Sequence, residues 1–533
     1  MATLNWIGKE KVINHHLDVP FKTLRHKYSY KDGKKLTDPP KGGQVVRSEN
    51  KIIHGDNLLA LKSLLPEYEG KIKCIYIDPP YNTGNESWVY NDNVNHPKIK
   101  KWLGEVVGKE GEDLSRHDKW LCMMYPRLKL LHKLLSEDGA IFVSIDDNEQ
   151  ENLRNIMNEI FGKINFVNNI IWQKKYSPQN DARYFSDMHD FIVCYAKNKN
   201  KWDRNLLPRT ENQNKRYTNR DNDPRGDWKS SDLSVKTYNQ NTDYPITTPS
   251  GRVVNPPKGY CWRVSREKFE EMVKEDRIWF GEKGDNVPSI KRFLTEVQQG
   301  TVPVTLWLRD EVGDNQEAKQ ELKEIFNESF TPFETPKPVR LIDHILKIGS
   351  NKNSYILDSF AGSATTAHAV LNLNFKDDGE RRFILVELED YAESITAERV
   401  KRVISGYGKT KGVKGDFEFL ELGDPLFNDD GYLNENQPIE DIRNYVYYSE
   451  TRTNTGFSQK PRNKYYLGKR SNTAYYFYYE KEKVTTLDLK FVSQIEINAD
   501  QFVVYADKCS LSERYLNEHK LIFKKIPRDI SKI

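Results

Sequence analysis

Two stretches of this sequence alternate apolar runs with helical spacing, and between them, from about residue 166 to about residue 330, the alternation stops. In the first stretch "KIIHGDNLLALKSL" runs strand, turn, helix, and "KIKCIYIDPPY" is a continuous apolar run. From Asp118 onward Leu121, Met124, Leu128, Leu131 and Leu135 step by three and four, and "DGAIFVSIDD" then "NEQENLRNIMNEIFG" repeat the strand–helix pair. The second stretch holds "PKPVRLIDHILKIGS" (helix), "NSYILDSFAGSATTAHAVLNL" (strand, loop, helix) and "RRFILVELED" (strand). Unbroken apolar runs are strands buried on both faces, and three–four spacing is an amphipathic helix. Their alternation predicts one parallel α/β sheet covered by helices and split in sequence by an insertion.

That split divides the 533 residues into five segments. Residues 1–50 are polar and mixed, an N-terminal arm, and residues 51–165 and 331–410 are the two halves of the α/β domain. Residues 166–330 are the insertion, with basic positions Arg204, Arg209, Lys215, Arg216, Arg220, Arg225 and Lys229 among acids Asp203, Glu211, Asp221, Asp223 and Asp227. That mixture fits a solvated loop as well as it fits contacts to an anionic partner. Trp172, Tyr176 and Trp228 are candidates for base contacts, with core packing the better-supported role for each. "GYGKTKGVKGD" reads as a linker, and residues 411–533 as a separate α+β module. Its strand "AYYFYYEK" is expected to be an exposed sheet edge that serves association, with little contact to the α/β halves.

The net charge of +4 does not by itself mark a nucleic-acid binder. The five Cys lie far apart without a CxxC pair or a His cluster, so neither a disulfide framework nor a zinc site is suggested. "MATLNWIGKEKVINHH" has no apolar signal core and no run approaches a membrane span, so a soluble cytoplasmic protein with no membrane partner is expected.

In "SYILDSFAGSATTAHAV" an apolar strand ends at Asp358, a loop carries Gly362, and a helix begins near Thr365. This is either an ordinary turn with Thr caps or the seat of a nucleotide-type ligand at a helix N-terminus. The next strand ends in Glu387, an acid suited to a ribose diol and not to a phosphate. A P-loop is lacking, because "GYGKT" has Val403 where its first glycine would stand. A ligand with a ribose and no triphosphate fits S-adenosylmethionine.

"CIYIDPPY" ends a strand on Asp78, Pro79, Pro80 and Tyr81. The prolines stiffen the turn and remove backbone donors, leaving carbonyls free to accept. A carboxylate and the Pro79 carbonyl can accept both hydrogens of an exocyclic amino group, and Tyr81 can stack on its ring. Such acceptance favours a pyramidal nitrogen whose lone pair can attack a sulfonium methyl in line, by positioning and electrostatics alone. A strand-ending turn with a core tyrosine is the plain alternative.

"DPPY" followed by "NTG", together with "DSFAGSATT", resembles the amino-methyltransferases of DNA. The acidic-Pro-Pro-aromatic motif stands about 280 residues before the cofactor loop. That permuted order is similar to the β class, where a target recognition insertion separates the halves. "DPPYNTGNESWVYND" and "YADKCSLSERYLNEHKLIFKKIPRDI" look most like the modification subunits of type III restriction systems. The resemblance covers most of the chain and is strongest in the α/β halves. It implies a Rossmann-like, circularly permuted sheet that uses S-adenosylmethionine, interrupted by a target recognition domain and followed by an α+β C-terminal module. It implies that Asp78, Pro79, Pro80 and Tyr81 are the catalytic motif. Asp358, Phe360, Gly362, Ser363 and Thr365 become the methionine-side cofactor loop, and Glu387 the ribose acid. Lys337 and Pro338 become the segment before the cofactor helix, and Asp56 the acid near the cofactor adenine. Asp56 also fits an Asx turn or N-cap, and Lys337 a solvated lysine. Arg204, Arg209, Lys215, Arg216 and Arg220 become DNA contacts. Ala364 departs from the pattern, where a second glycine is common, and is tolerable if that position is helical.

Asp in place of Ser at position 78 favours adenine-N6 over cytosine-N4 within this family. A C5-cytosine enzyme needs a Pro-Cys nucleophile, and no Pro-Cys pair occurs. The expected function is site-specific adenine-N6 methylation of double-stranded DNA by base flipping and in-line transfer, in a restriction-modification system. Expected partners are a second copy of the chain and a helicase–nuclease restriction subunit. The alternatives are cytosine-N4 methylation, methylation of RNA or a protein amide, and a non-catalytic DNA-specificity subunit. Intact Asp78 and Gly362 argue against the last.

Overall fold

The computed structural model describes residues 4–37, 47–83, 97–108, 115–453 and 463–528. It divides into two compact units, Met1–Asn205 with Val304–Ile533, and Leu206–Pro303.

The first unit is built on an 11-stranded sheet. Its strands in chain order are β1 (Lys22–Lys31), β2 (Lys34–Leu36), β3 (Lys51–His54), β4 (Ile72–Ile77), β5 (Leu135–Ile145), β6 (Phe166–Gln173), β7 (His189–Ala196), β8 (Leu306–Trp307), β9 (Tyr355–Asp358), β10 (Arg382–Glu387) and β11 (Asp416–Pro425). In space they lie in the order β8-β6-β7-β5-β4-β9-β10-β3-β11-β1-β2. The run β5-β4-β9-β10-β3-β11 is parallel, and β7 and β1 pair antiparallel at its flanks. From β4 the chain proceeds to β5 on one side, and from β9 to β10 on the other. The carboxyl ends of β4 and β9 therefore flank a topological switch point, where open α/β sheets place their ligands.

The main helices of this unit are α1 (Asn57–Tyr68), α2 (Arg116–Leu134), α3 (Val339–Gly349), α4 (Thr365–Asp377), α5 (Glu398–Ser405) and α6 (Ile439–Thr451). Asp56 caps α1, accepting from the Leu58 and Leu59 amides at 2.9 and 3.2 Å, and Ser115 with Asp118 forms a capping box before α2. The three–four spacing locates α2, but the helix is apolar on more than one face. Trp120, Cys122, Met123, Met124, Leu128 and Leu131 are all fully buried. Side chains of that size contribute about 1.5–3 kcal/mol each by burial, which anchors α2 beneath the site. Leu135 does not extend the helix; it opens β5. Among the described residues no helix is long and apolar enough to cross a membrane.

Three expected boundaries move. The arm contributes β1, whose Tyr28 stacks on Phe419 of β11 at 5.2 Å between ring centres. The expected insertion at 166–330 shrinks to Leu206–Pro303, because β6, β7 and β8 belong to the main sheet. A module starting at 411 would cut away β11, an interior strand between β3 and β1. The tail carries a four-stranded sheet of β12 (Tyr466–Arg470), β13 (Thr473–Phe477), β14 (Gln501–Ala506) and β15 (Leu521–Lys525). β13, from "AYYFYYEK", is an inner strand between β12 and β14 and not an edge. Contact with the α/β core is also closer than expected, since Tyr448 of α6 is buried in that core and its hydroxyl donates to Glu69.

The second unit has its own core of Leu233, Ile246, Trp262, Phe269 and Ile278. Strands Ile278–Trp279, Ser289–Phe293 and Trp228–Asp232 form its three-stranded sheet. The buried Lys291 ammonium lies 2.5, 3.3 and 2.9 Å from Asp221, Asp223 and Asp276, so those carboxylates surround a lysine. The chain segments that flank this unit in sequence are hydrogen-bonded within the first unit. Asn205 donates from its amide to Ile348 at 2.9 Å and from its side chain to Lys347 and Ser350 carbonyls at 3.0 and 2.7 Å, and Thr305 accepts from the Ile171 amide at 2.9 Å.

Candidate active site

Four parallel neighbours, β4, β9, β10 and β3, end or turn on acids: Asp78, Asp358, Glu387 and Asp56. These come from both halves of the sequence and meet on one carboxyl edge. A narrow cleft there is lined by Asp78, Lys337, Asp358, Phe360, Gly362, Ser363 and Thr365.

The turn after β4 is held from two sides. The Trp120 indole of α2 donates to the Pro80 carbonyl at 2.6 Å. Asn82, in the left-handed region at φ 58°, donates to the Arg116 carbonyl at 3.2 Å and to the buried carboxylate of Glu149. Glu149 also receives His117 Nδ1 at 2.7 Å and Asn152 Nδ2 at 2.8 Å. Tyr81 is partly buried against the core. Burial, and next the Asp78 carboxylate, push its phenol well above the usual range.

Lys337 is not a solvated lysine. It is 8% exposed, its ammonium reaches Asp78 Oδ2 at 2.5 Å, and it lies 5.1 Å from the centre of the Tyr81 ring. Its carbonyl accepts from Thr365 Oγ1 at 3.2 Å, so one residue ties the Asp-Pro-Pro-Tyr turn to the glycine loop. Behind it Lys174 and Asp190 pair at 2.5 Å. Burial raises the Asp190 carboxyl above its usual range against the pull of Lys174 and Lys337.

In the glycine loop Asp358 accepts from the Phe360 amide at 3.1 Å and from Thr366 Oγ1 at 2.5 Å, and burial pushes its carboxyl up to about 7. Gly362 adopts φ 51°, which suits a residue without Cβ, and its amide donates to Glu387 Oε2 at 2.7 Å. Glu387 is fully buried and also accepts from the Glu389 amide at 2.9 Å; burial pushes its carboxyl up to about 8. It braces the loop from behind. Ala364 is left-handed, at φ 63° and ψ 34°, so the condition under which alanine would be readily tolerated there, a helical backbone, is not met.

Arg399 on α5 was not singled out from the sequence. Fully buried, it donates to Ser363 Oγ and Thr365 Oγ1 at 3.1 and 2.9 Å and pairs with Glu321 at 3.3 Å. Its only sequence signal is a charge on the apolar stripe of "ERVKRVIS". Asp56 keeps its N-cap role, and Arg127 lies 3.4 Å from its Oδ2. The Gly55 amide donates to the Glu387 carbonyl at 2.8 Å, which holds the Asp56 turn beside β10.

The basic positions do not form one group. Arg204 is exposed on the first unit, whereas Arg209, Lys215, Arg216 and Arg220 lie in the second. There Arg209 and Lys229 lie 5.3 and 5.1 Å from the Tyr217 ring centre, and Arg220 lies 5.8 Å from that of Trp228. Trp172 and Trp228 are fully buried, as core packing predicts; Tyr176 is 66% exposed, with the Arg309 guanidinium 4.2 Å from its ring centre, which corrects the core role.

The family profile described as DNA methylase, of the N6 and N4 type, matches residues 72–398. The type III restriction-modification enzyme StyLTI Mod subunit of Salmonella typhimurium is 35% identical over 359 residues, 64% of this chain and 53% of that one. The type III restriction-modification enzyme EcoPI Mod subunit of Escherichia phage P1 is 32% identical over 429 residues, 73% of this chain and 64% of that one. The type II methyltransferase M.KpnI of Klebsiella pneumoniae is 31% identical over 363 residues, 64% of this chain and 81% of that one. The chain thus spans about half to two thirds of the length of the Mod subunits it matches.

Proposed function

Since the chain belongs to the DNA methylase family of the N6 and N4 type, we propose that it methylates the N6 amino group of adenine at specific sites in double-stranded DNA, using S-adenosylmethionine. The observation that carries this reading is the meeting of Asp78 and the Asp358–Thr365 loop in one cleft at the switch point of a parallel sheet. The residues fit the cofactor: a left-handed glycine allows close approach, the N-terminus of α4 faces the loop, Asp56 suits an adenine donor, and Glu387, proposed as the ribose acid, reaches a ribose only by giving up an amide partner of the loop it braces. When bound, S-adenosylmethionine supplies an electrophilic methyl group on a sulfonium.

This chain's own groups position the base. Asp78 accepts one amino hydrogen through Oδ1, the oxygen that Lys337 does not bind. Trp120 occupies the Pro80 carbonyl, so the Pro79 carbonyl accepts the second. Tyr81 supplies the stacking face. A base within a duplex cannot reach this turn, so the adenine is flipped out. The unit Leu206–Pro303 is the proposed target recognition domain, with Arg209, Lys215, Arg216 and Arg220 on phosphates. The chain is assigned to the cytoplasm as a modification subunit that forms a homodimer and works with a helicase–nuclease restriction subunit.

The test is methyl transfer from labelled S-adenosylmethionine to an unmethylated plasmid, followed by sequencing that identifies the modified base. Wild-type protein transfers label to adenine and Asp78→Ala does not. Transfer that survives in Asp78→Ala refutes the site, and N4-methylcytosine in the product refutes the choice of base.

A further inference from the structure

The segment from Lys174 to Met188 joins β6 to β7 on the same carboxyl edge as Asp78. Phe191 at the start of β7 faces Ile145 at the end of β5, and Val143 of β5 faces Ile77 of β4. The loop is fastened at its base, where the Lys174 amide donates to the Met188 carbonyl at 2.9 Å and the Lys174 ammonium pairs with Asp190 at 2.5 Å. It is fastened again nearer its tip, where the Gln179 amide donates to Ser186 Oγ at 2.7 Å and the Lys175 ammonium to Gln179 Oε1 at 3.3 Å. On this braced loop Tyr184 is 79% exposed and Phe185 is 94% exposed. A Phe so exposed forgoes nearly all the stabilisation that burial gives. Single exposed apolar side chains need no explanation, but two adjacent rings held out from a cross-tied loop beside the site do.

Resting on the reading that the target base leaves a duplex, we propose that Tyr184 and Phe185 enter the DNA and stack in the gap the flipped base leaves. Extrusion costs the stacking of two faces and the pairing of one base. Tyr81 compensates the extruded base, and nothing in the Asp-Pro-Pro-Tyr turn compensates the gap. Flat apolar side chains on a rigid support are suited to that space, as wedges at unstacked steps are in general. The Arg183 guanidinium, 5.1 Å from the Tyr184 ring centre, stands beside the rings where backbone phosphates pass an inserted side chain.

The test uses the full chain with Tyr184→Ala and Phe185→Ala combined, and Phe185→Trp as the conservative variant. The probes are a duplex carrying the site found by sequencing the modified plasmid, and the same duplex with a mismatch opposite the target, which lowers the cost of flipping. The combined variant is expected to lose about tenfold or more of its transfer to the matched duplex, the scale of lost base stacking. On the mismatched duplex it stays within about threefold of wild type, because less needs compensating there. Cofactor affinity is unchanged, and Phe185→Trp retains activity on both. Equal losses on the two duplexes, or no loss on either, overturn the proposal. If the wild-type protein transfers methyl to neither duplex, the underlying function fails, an outcome distinct from the other two.

Discussion

Lys337 Nζ lies 2.5 Å from Asp78 Oδ2, with side chains only 9% and 10% exposed. Removing one partner of such a pair leaves a buried charge uncompensated, at about 3–5 kcal/mol, whereas removing both charges costs far less. Lys337→Met is therefore expected to lower stability by about that amount, and Asp78→Asn added to it to restore part of the loss. Urea denaturation of the two single variants and the double variant checks this. Strict additivity would mean that the two charges do not depend on each other.

Burial moves the Glu387 carboxyl from 4.5 up to about 8. The unfolded chain releases this proton first, so the group's contribution to stability is complete below about 4.5 and is lost as pH rises through 8. Buried His132 and His344, lowered to about 4, act in the opposite sense below 6.5. The window free of that opposition is therefore about 6.5 to 8, where Asp358, raised to about 7, acts in the same sense as Glu387. Stability of the wild type should fall across it, and Glu387→Gln should flatten the slope, as read from denaturation midpoints at several pH values. Equal slopes in the two proteins would remove Glu387 as the cause.

Ala364 holds a left-handed backbone that costs an L-residue roughly 1–2 kcal/mol. Ala364→Gly relieves this while losing one buried methyl, about 0.8 kcal/mol, and some chain entropy, about 0.5–1 kcal/mol. The expected net change is within about 1 kcal/mol of zero. Ala367→Gly, at a buried position inside α4, has no strain to relieve and should lose about 1–2 kcal/mol. Thermal or chemical unfolding of both variants compares the sites directly.

Deleting 411–533 removes β11 from between β3 and β1 and bares the edges of both. The truncated chain should be insoluble or unfold without cooperativity, as soluble yield and circular dichroism would show. A folded truncated protein that binds S-adenosylmethionine would instead make the tail an independent module.

The sequence reveals the strands and helices near the site because β4, β9 and β10 are buried on both faces and carry unbroken apolar runs. The ends of those runs also locate Asp78, Asp358 and Glu387. What the pattern hides is pairing at long range. β1 and β11 look polar because Lys, Glu and Arg alternate with their buried positions. β7 was legible as "DFIVCYA" but lay in a region read as irregular. The partnership of Lys337 with Asp78, and of Arg399 with the loop, depends on which helices meet, and a charge in a sequence does not announce the charge it will face. Ala364 shows the reverse limit: the residue type gives no sign of the left-handed backbone that the turn before α4 requires.

The unit Leu206–Pro303 carries its own core, and the residues that flank it in sequence, Asn205 and Thr305, belong to the first unit and are hydrogen-bonded there. Crossing over at those residues would exchange the unit between lineages without disturbing any strand that carries an acid of the site. On the proposed assignment, chemistry and recognition could thus change at separate tempos in one polypeptide, a new sequence preference arriving with an exchanged unit.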